Sequence, residues 1–117
     1  DIHSGIIDIS KRYDVVSNSD EIKMDHSLFT DDAMVFDGIK AKSATLSAGG
    51  RGVRLDYQDF ENLLIWSSAN GGNFVAIEPW TGISTCTDES DEFEKKRGMT
   101  VLEPGEETSF KFKITLI

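Results

Sequence analysis

Phe110, Phe112, Ile114 and Leu116 alternate with Lys111, Lys113 and Thr115 along the last stretch of the chain. Successive side chains of an extended strand point to opposite faces of its sheet. This spacing therefore puts the four apolar groups on one side and both lysines on the other. A helix would scatter the same residues around its axis. Val53, Leu55 and Tyr57 alternate with Arg54 and Asp56 in the same way, and Lys42, Ala44 and Leu46 alternate with Ser43, Thr45 and Ser47. Residues 63–67 are nearly all apolar, as a strand covered on both faces would be. No stretch of useful length carries a helical period.

Shorter apolar or β-prone runs predict further strands at residues 6–9, 13–16, 21–24, 33–36, 74–78 and 99–102, with one helical turn at 26–29. Asn18-Ser19-Asp20, Asp37-Gly38, Gly49-Gly50 and Asn70-Gly71-Gly72 supply the turn chemistry between them. Many short strands separated by such turns predict an all-β sandwich or barrel; of the two, an antiparallel β-sandwich is the fold expected. At 117 residues the chain is expected to be a single unit with a modest core. It begins with Asp1 rather than Met, with no basic-then-apolar segment behind it. A processed or excised piece of a longer chain is therefore expected.

Charge narrows the partners. The net charge is −9 and the isoelectric point about 4.5. Phosphate backbones and anionic bilayers need clustered Lys and Arg, so no nucleic acid and no membrane partner is expected. No apolar run approaches the ~20 residues that span a bilayer. A neutral ligand such as a sugar is compatible with this charge. The one cysteine, Cys86, cannot form an internal disulfide and fits a reducing compartment, so a cytoplasmic location is expected.

One short segment carries the chemistry. In Phe74-Val75-Ala76-Ile77-Glu78-Pro79-Trp80 a carboxylate ends an otherwise apolar strand. Alternation groups Phe74, Ala76 and Glu78 on one face and Val75 and Ile77 on the other. Pro79 restricts Glu78 to extended geometry, so the carboxylate is aimed. Trp80 sets a flat ring beside it. An aimed acid next to an aromatic plate suits a sugar, whose ring face the indole covers while the acid takes a hydroxyl proton. The competing reading of Glu78 is a carboxylate that caps a turn or pairs with a cation.

The segments Asp31-Asp32-Ala33-Met34-Val35-Phe36-Asp37, Gly50-Arg51-Gly52-Val53, Leu64-Ile65-Trp66-Ser67, Ile77-Glu78-Pro79-Trp80-Thr81-Gly82-Ile83 and Leu102-Glu103-Pro104-Gly105-Glu106 follow one another in the order seen in aldose 1-epimerase-like proteins. The chain resembles the C-terminal portion of that family, in its LacX-like bacterial branch, from about Ile22 onward. The resemblance implies part of a galactose mutarotase-like supersandwich built from both halves of a longer chain. It implies an activity that interconverts the α and β anomers of a free aldose. A base removes the anomeric proton and an acid protonates the ring oxygen, a division of labour typically worth about a hundred- to ten-thousand-fold. By resemblance Glu78 is the base, and Asp32 hydrogen-bonds sugar hydroxyls. Trp80 stacks on or borders the sugar; an amphipathic ring at a sandwich rim is the other reading.

The family's catalytic histidines lie in the half that has no counterpart here. His3 and His26 sit in no matching motif and receive no role. The piece alone is therefore expected to be inactive. Its partners are expected to be a monosaccharide, plus either the missing N-terminal half or a second copy. No cofactor is expected. A non-catalytic carbohydrate-binding sandwich using Trp80, Trp66 and Asp32 is the alternative.

Other candidates read as structural. Trp66 reads as core and Arg51 as a turn or surface residue. Cys86 has no basic neighbour to activate it. Asp88, Glu89, Asp91, Glu92 and Glu94 lack the spacing of a calcium loop, so no metal is expected. The charged run from Asp88 to Arg97 reads as a solvated loop.

Overall fold

The computed structural model describes residues 2–117. Among these residues eight strands form, all paired antiparallel: β1 (Ile2–His3), β2 (Ile6–Ile7), β3 (Met34–Phe36), β4 (Ser43–Ala48), β5 (Arg51–Asp56), β6 (Asn62–Trp66), β7 (Ala76–Trp80) and β8 (Lys113–Leu116). They make a small hairpin, β1-β2, and two three-stranded sheets in the orders β3-β6-β7 and β4-β5-β8. The only helical elements among the described residues are single 3₁₀ turns at His26–Phe29 and Phe93–Lys95. The fold is an all-β antiparallel sandwich.

The two larger sheets share one core. Leu55 of β5, Leu63 of β6 and the wholly buried Tyr57 form its centre, and Phe36, Ala44, Ile65 and Ile77 pack on them. Alternation selects which side chains enter it. On β6, Leu63 and Ile65 face β4-β5-β8, while Asn62, Leu64 and Trp66 turn to the opposite face. That opposite face is covered at the β3 edge by a second cluster, Ile2, Ile7, Ile83 and Cys86, against which Val35 packs. Ile7 donates its N–H to Thr85 and accepts from Thr87, which ties the hairpin to the segment beyond β7.

Several expectations change. The 13–16, 21–24 and 99–102 runs form no strand. Among the described residues none of the three pairs with a sheet edge. Tyr13, Val101 and Leu102 are exposed. The last strand is shorter than the alternation suggests, because regular pairing with β5 begins at Lys113 opposite Asp56. Phe110 and Phe112 instead lean on Phe60, with ring centroids 5.9 and 6.5 Å away. The expected helical turn forms at His26–Phe29, where the Asp25 carboxylate accepts the Ser27 N–H at 2.9 Å. Gly49 and Gly50 join β4 to β5 with φ of +58° and +78°, the left-handed pair that a two-residue hairpin turn requires.

Candidate active site on the outer face of β6 and β7

β7 runs two residues further than its apolar pattern indicates. Glu78 therefore lies in mid-strand opposite Leu64, not at the strand's end, and Pro79 and Trp80 continue the pairing opposite Leu63 and Asn62. A proline is tolerated there because β7 is an edge strand, so its missing N–H costs no internal ladder bond. The carboxylate is aimed by its place in the ladder as well as by the proline.

The register decides what surrounds Glu78. Cross-strand partners share a face, so Glu78, Leu64 and Val35 form one row across the sheet. Trp80 and Asn62 form the row on one side of it, and Ala76 and Trp66 the row on the other. The indole N–H of Trp80 donates to Glu78 Oε2 at 3.1 Å. Glu78 is half-buried and, among the described residues, joins no ion pair. An ionised carboxylate with one oxygen held by an indole and the other free can accept a proton from a bound hydroxyl.

Asn62 is the residue that sequence reasoning missed. It is 8% exposed, and all its polar atoms are engaged. Its amide nitrogen reaches the carbonyls of Trp80, Thr81 and Gly82 at 3.4, 3.1 and 3.3 Å, and its oxygen accepts the Gly38 N–H at 3.1 Å. Asn62 thus fixes the path by which the chain leaves β7, and with it the placement of Trp80. A polar amide opening an otherwise apolar strand is the signal that could have revealed it. Trp66 was read as core, yet it is half-buried on the Glu78 face, where its ring packs on Phe74 with centroids 5.4 Å apart.

Asp32 sits elsewhere. It immediately precedes Ala33 and β3, at the sheet end where Trp66 and Ala76 lie, while Trp80 is at the other end. Its Oδ1 accepts the N–H of Ala33 at 2.8 Å. Among the described residues no hydrogen bond joins it to Glu78 or Trp80. Arg51 opens β5 on the far sheet, exposed and opposite Ala48. His26 Nδ1 lies 2.9 Å from the carbonyl of Ser68 and 3.5 Å from Ser67 Oγ.

Among the described residues, cavities open at two places relevant here. One, of about 340 Å³, lies along β3 beneath residues 11–16. The other, of about 300 Å³, lies between the His26–Phe29 turn, Leu46 and Phe74. Glu78, Trp80 and Asp32 line neither of them. The bidentate Arg12–Asp37 pair, 2.7 Å at each contact, borders the first cavity and holds the Asp37 carboxyl below its usual range.

The charged run from Asp88 to Arg97 is mostly exposed, as expected of a solvated loop, but Glu89 ties it to the backbone. Glu89 accepts the N–H groups of Cys86 at 2.8 Å and Arg97 at 2.7 Å, which lowers its proton affinity, and Arg97 pairs with Asp88 at 3.2 Å. A charge block need not be solvated throughout when one of its members can take up backbone N–H groups. No group of acids, histidines and cysteine among the described residues is placed to hold a metal ion. The Cys86 thiol is buried, which pushes its pKa upward. No helix among the described residues is long and apolar enough to cross a membrane.

The chain is 35% identical over 116 residues to the chromosomal and to the plasmid protein LacX of Lactococcus lactis subsp. lactis. The match covers 97% of this chain and 39% of each of those proteins. No family model matches, and no solved structure matches.

Proposed function

We propose that this chain is part of an aldose 1-epimerase-like protein that interconverts the anomers of a free aldose, with Glu78 as the base. The observation that carries the proposal is the half-buried Glu78 carboxylate. Among the described residues it pairs with no cation; it is held by the Trp80 indole at 3.1 Å and lies on a sheet face flanked by Trp80 and Trp66. Such a carboxylate takes the proton of the anomeric hydroxyl as the ring C–O bond breaks. An acid outside this chain protonates the ring oxygen. The C1 centre then turns and the ring closes on its other face.

The identity to LacX along nearly the whole chain supports this reading. So does the −9 charge, which is compatible with a neutral sugar. The chain spans 39% of the length of the curated relatives it matches, so the complete activity is proposed for a longer protein. Asp32 is proposed to bind sugar hydroxyls by way of its free oxygen. The cytoplasm is proposed as the location, on the strength of a single unpaired thiol.

Polarimetry of freshly dissolved α-galactose or α-glucose tests the proposal. In the complete protein, Glu78→Gln keeps the shape and removes the base, so the catalysed rate is expected to fall by about a hundredfold or more. Sugar binding measured by calorimetry is expected to survive. Unchanged mutarotation in Glu78→Gln would reject the base. Sugar binding with no catalysis in the unmodified protein would favour a carbohydrate-binding module.

A further inference from the structure

We propose that Asn62 is a positioning residue for the base: it holds Trp80 in place, and the Trp80 indole in turn leaves Glu78 a single acting oxygen, Oε1. The inference rests on the reading of Glu78 as the base and says how that carboxylate is set.

Asn62 opens β6 and shares a cross-strand row with Trp80, beside the row that holds Glu78. It is buried, so the protein rather than water has to complete its hydrogen bonds. Its oxygen accepts the N–H of Gly38, just beyond β3, and its amide nitrogen donates to the carbonyls of Trp80, Thr81 and Gly82. One amide thus ties together the end of β3, the start of β6 and the end of β7. The ladder between β6 and β7 stops at the Asn62–Trp80 pair, and beyond it the amide takes over from the sheet.

An indole has one N–H to donate. Trp80 gives it to Glu78 Oε2 at 3.1 Å. A carboxylate held at one oxygen presents the other in a fixed direction, as proton transfer to it requires. The ring follows the backbone that carries it, so a shift at residues 80–82 moves Nε1 away from Glu78. Among the described residues no hydrogen bond joins Asn62 to Glu78 directly, so Asn62 acts through Trp80. This gives Trp80 a task that another aromatic ring cannot take over. As a plate for a sugar, phenylalanine would serve nearly as well; as a donor it cannot serve at all.

Mutarotation kinetics and ¹H–¹⁵N spectra of the indole groups, both on the complete protein, test this. Trp80→Phe is expected to lower kcat about tenfold with KM nearly unchanged, and Asn62→Ala to do the same. The double variant should be hardly slower than Trp80→Phe alone, because both act through one bond. The Trp80 indole resonance, identified by its loss in Trp80→Phe, should move in Asn62→Ala. Asn62→Ser, which keeps one donor in less space, is the second variant if Asn62→Ala does not fold, and should show the same pattern with a smaller loss. A rise in KM at unchanged kcat in Trp80→Phe overturns the proposal and makes the ring a sugar platform. Losses that multiply in the double variant overturn it, as does an indole resonance that neither Asn62 substitution moves. A slow Glu78→Gln beside a normal Trp80→Phe rejects this proposal alone; a full rate in Glu78→Gln rejects the base, and this proposal with it.

Discussion

Tyr57 has no exposed surface, and its hydroxyl is the one buried side-chain polar atom among the described residues without a hydrogen-bond partner. An unpaired buried hydroxyl costs about 1–3 kcal/mol. Burial also raises the phenol's pKa. Tyr57→Phe keeps the ring and removes the hydroxyl. It is expected to stabilise the chain by about 1 kcal/mol, seen as a rise of about 4 °C in the thermal midpoint. A fall would show that the hydroxyl has a partner in solution. The alternation of Val53, Leu55 and Tyr57 already directs the ring inward. The stranded hydroxyl is invisible in the sequence, because it depends on what Leu55, Leu63 and Phe60 place around it. Glu78 divides the same way. Its type and its neighbours Pro79 and Trp80 can be read directly, but the indole–carboxylate bond and the Trp66 flank follow from register.

The segment from Thr81 to Met99 is where element-scale effects concentrate. Gly98 has a φ of +74°, and a Cβ there would stand 2.8 Å from the Thr81 carbonyl and 2.9 Å from Gly82 Cα. Gly98→Ala adds a left-handed strain to a backbone clash. It is expected to destabilise by about 2–3 kcal/mol, read from the urea midpoint at unchanged slope. Glu89 closes the same segment through the N–H groups of Cys86 and Arg97. These bonds favour its charged form, so its folded pKa lies below the unfolded value. The stabilisation is complete above that unfolded value and is lost as pH falls through the folded one. Protection of the Cys86 and Arg97 amides, measured relative to the slower intrinsic exchange at low pH, is expected to fall on acidification. In Glu89→Gln it should be low, with no such dependence. Equal protection in both chains across this range would remove Glu89 from the role. Composition marked this stretch only as charged, because which acid meets the backbone is decided by the turns around it.

For the whole molecule the decisive facts are a modest core and an unfinished one. Tyr57, Leu55 and Leu63 hold the two sheets together, while the β8 face carries the same apolar pattern into water. The Glu78 face has a carboxylate and two indoles, but neither cavity is lined by that carboxylate. The 117-residue chain alone is therefore expected to show no mutarotation above the buffer rate in polarimetry. Robust catalysis would mean that the acid is present within these residues, with His26 the first group to substitute.

Period-two alternation, turn glycines and the lack of helical spacing were enough to dictate an antiparallel β fold, since each is a local preference written into a few consecutive residues. The same local information named Glu78 and Trp80 as neighbours. It could not say that residues 13–16, 21–24 and 99–102 stay unpaired, that β7 extends through a proline, or that Asn62 pins the strand's exit. Nor could it tell that Asp32 lies at the opposite end of the sheet from Trp80. Those outcomes depend on which strand edges are within reach and in what register they meet. Register couples residues far apart in sequence, so only the assembled sheets decide it.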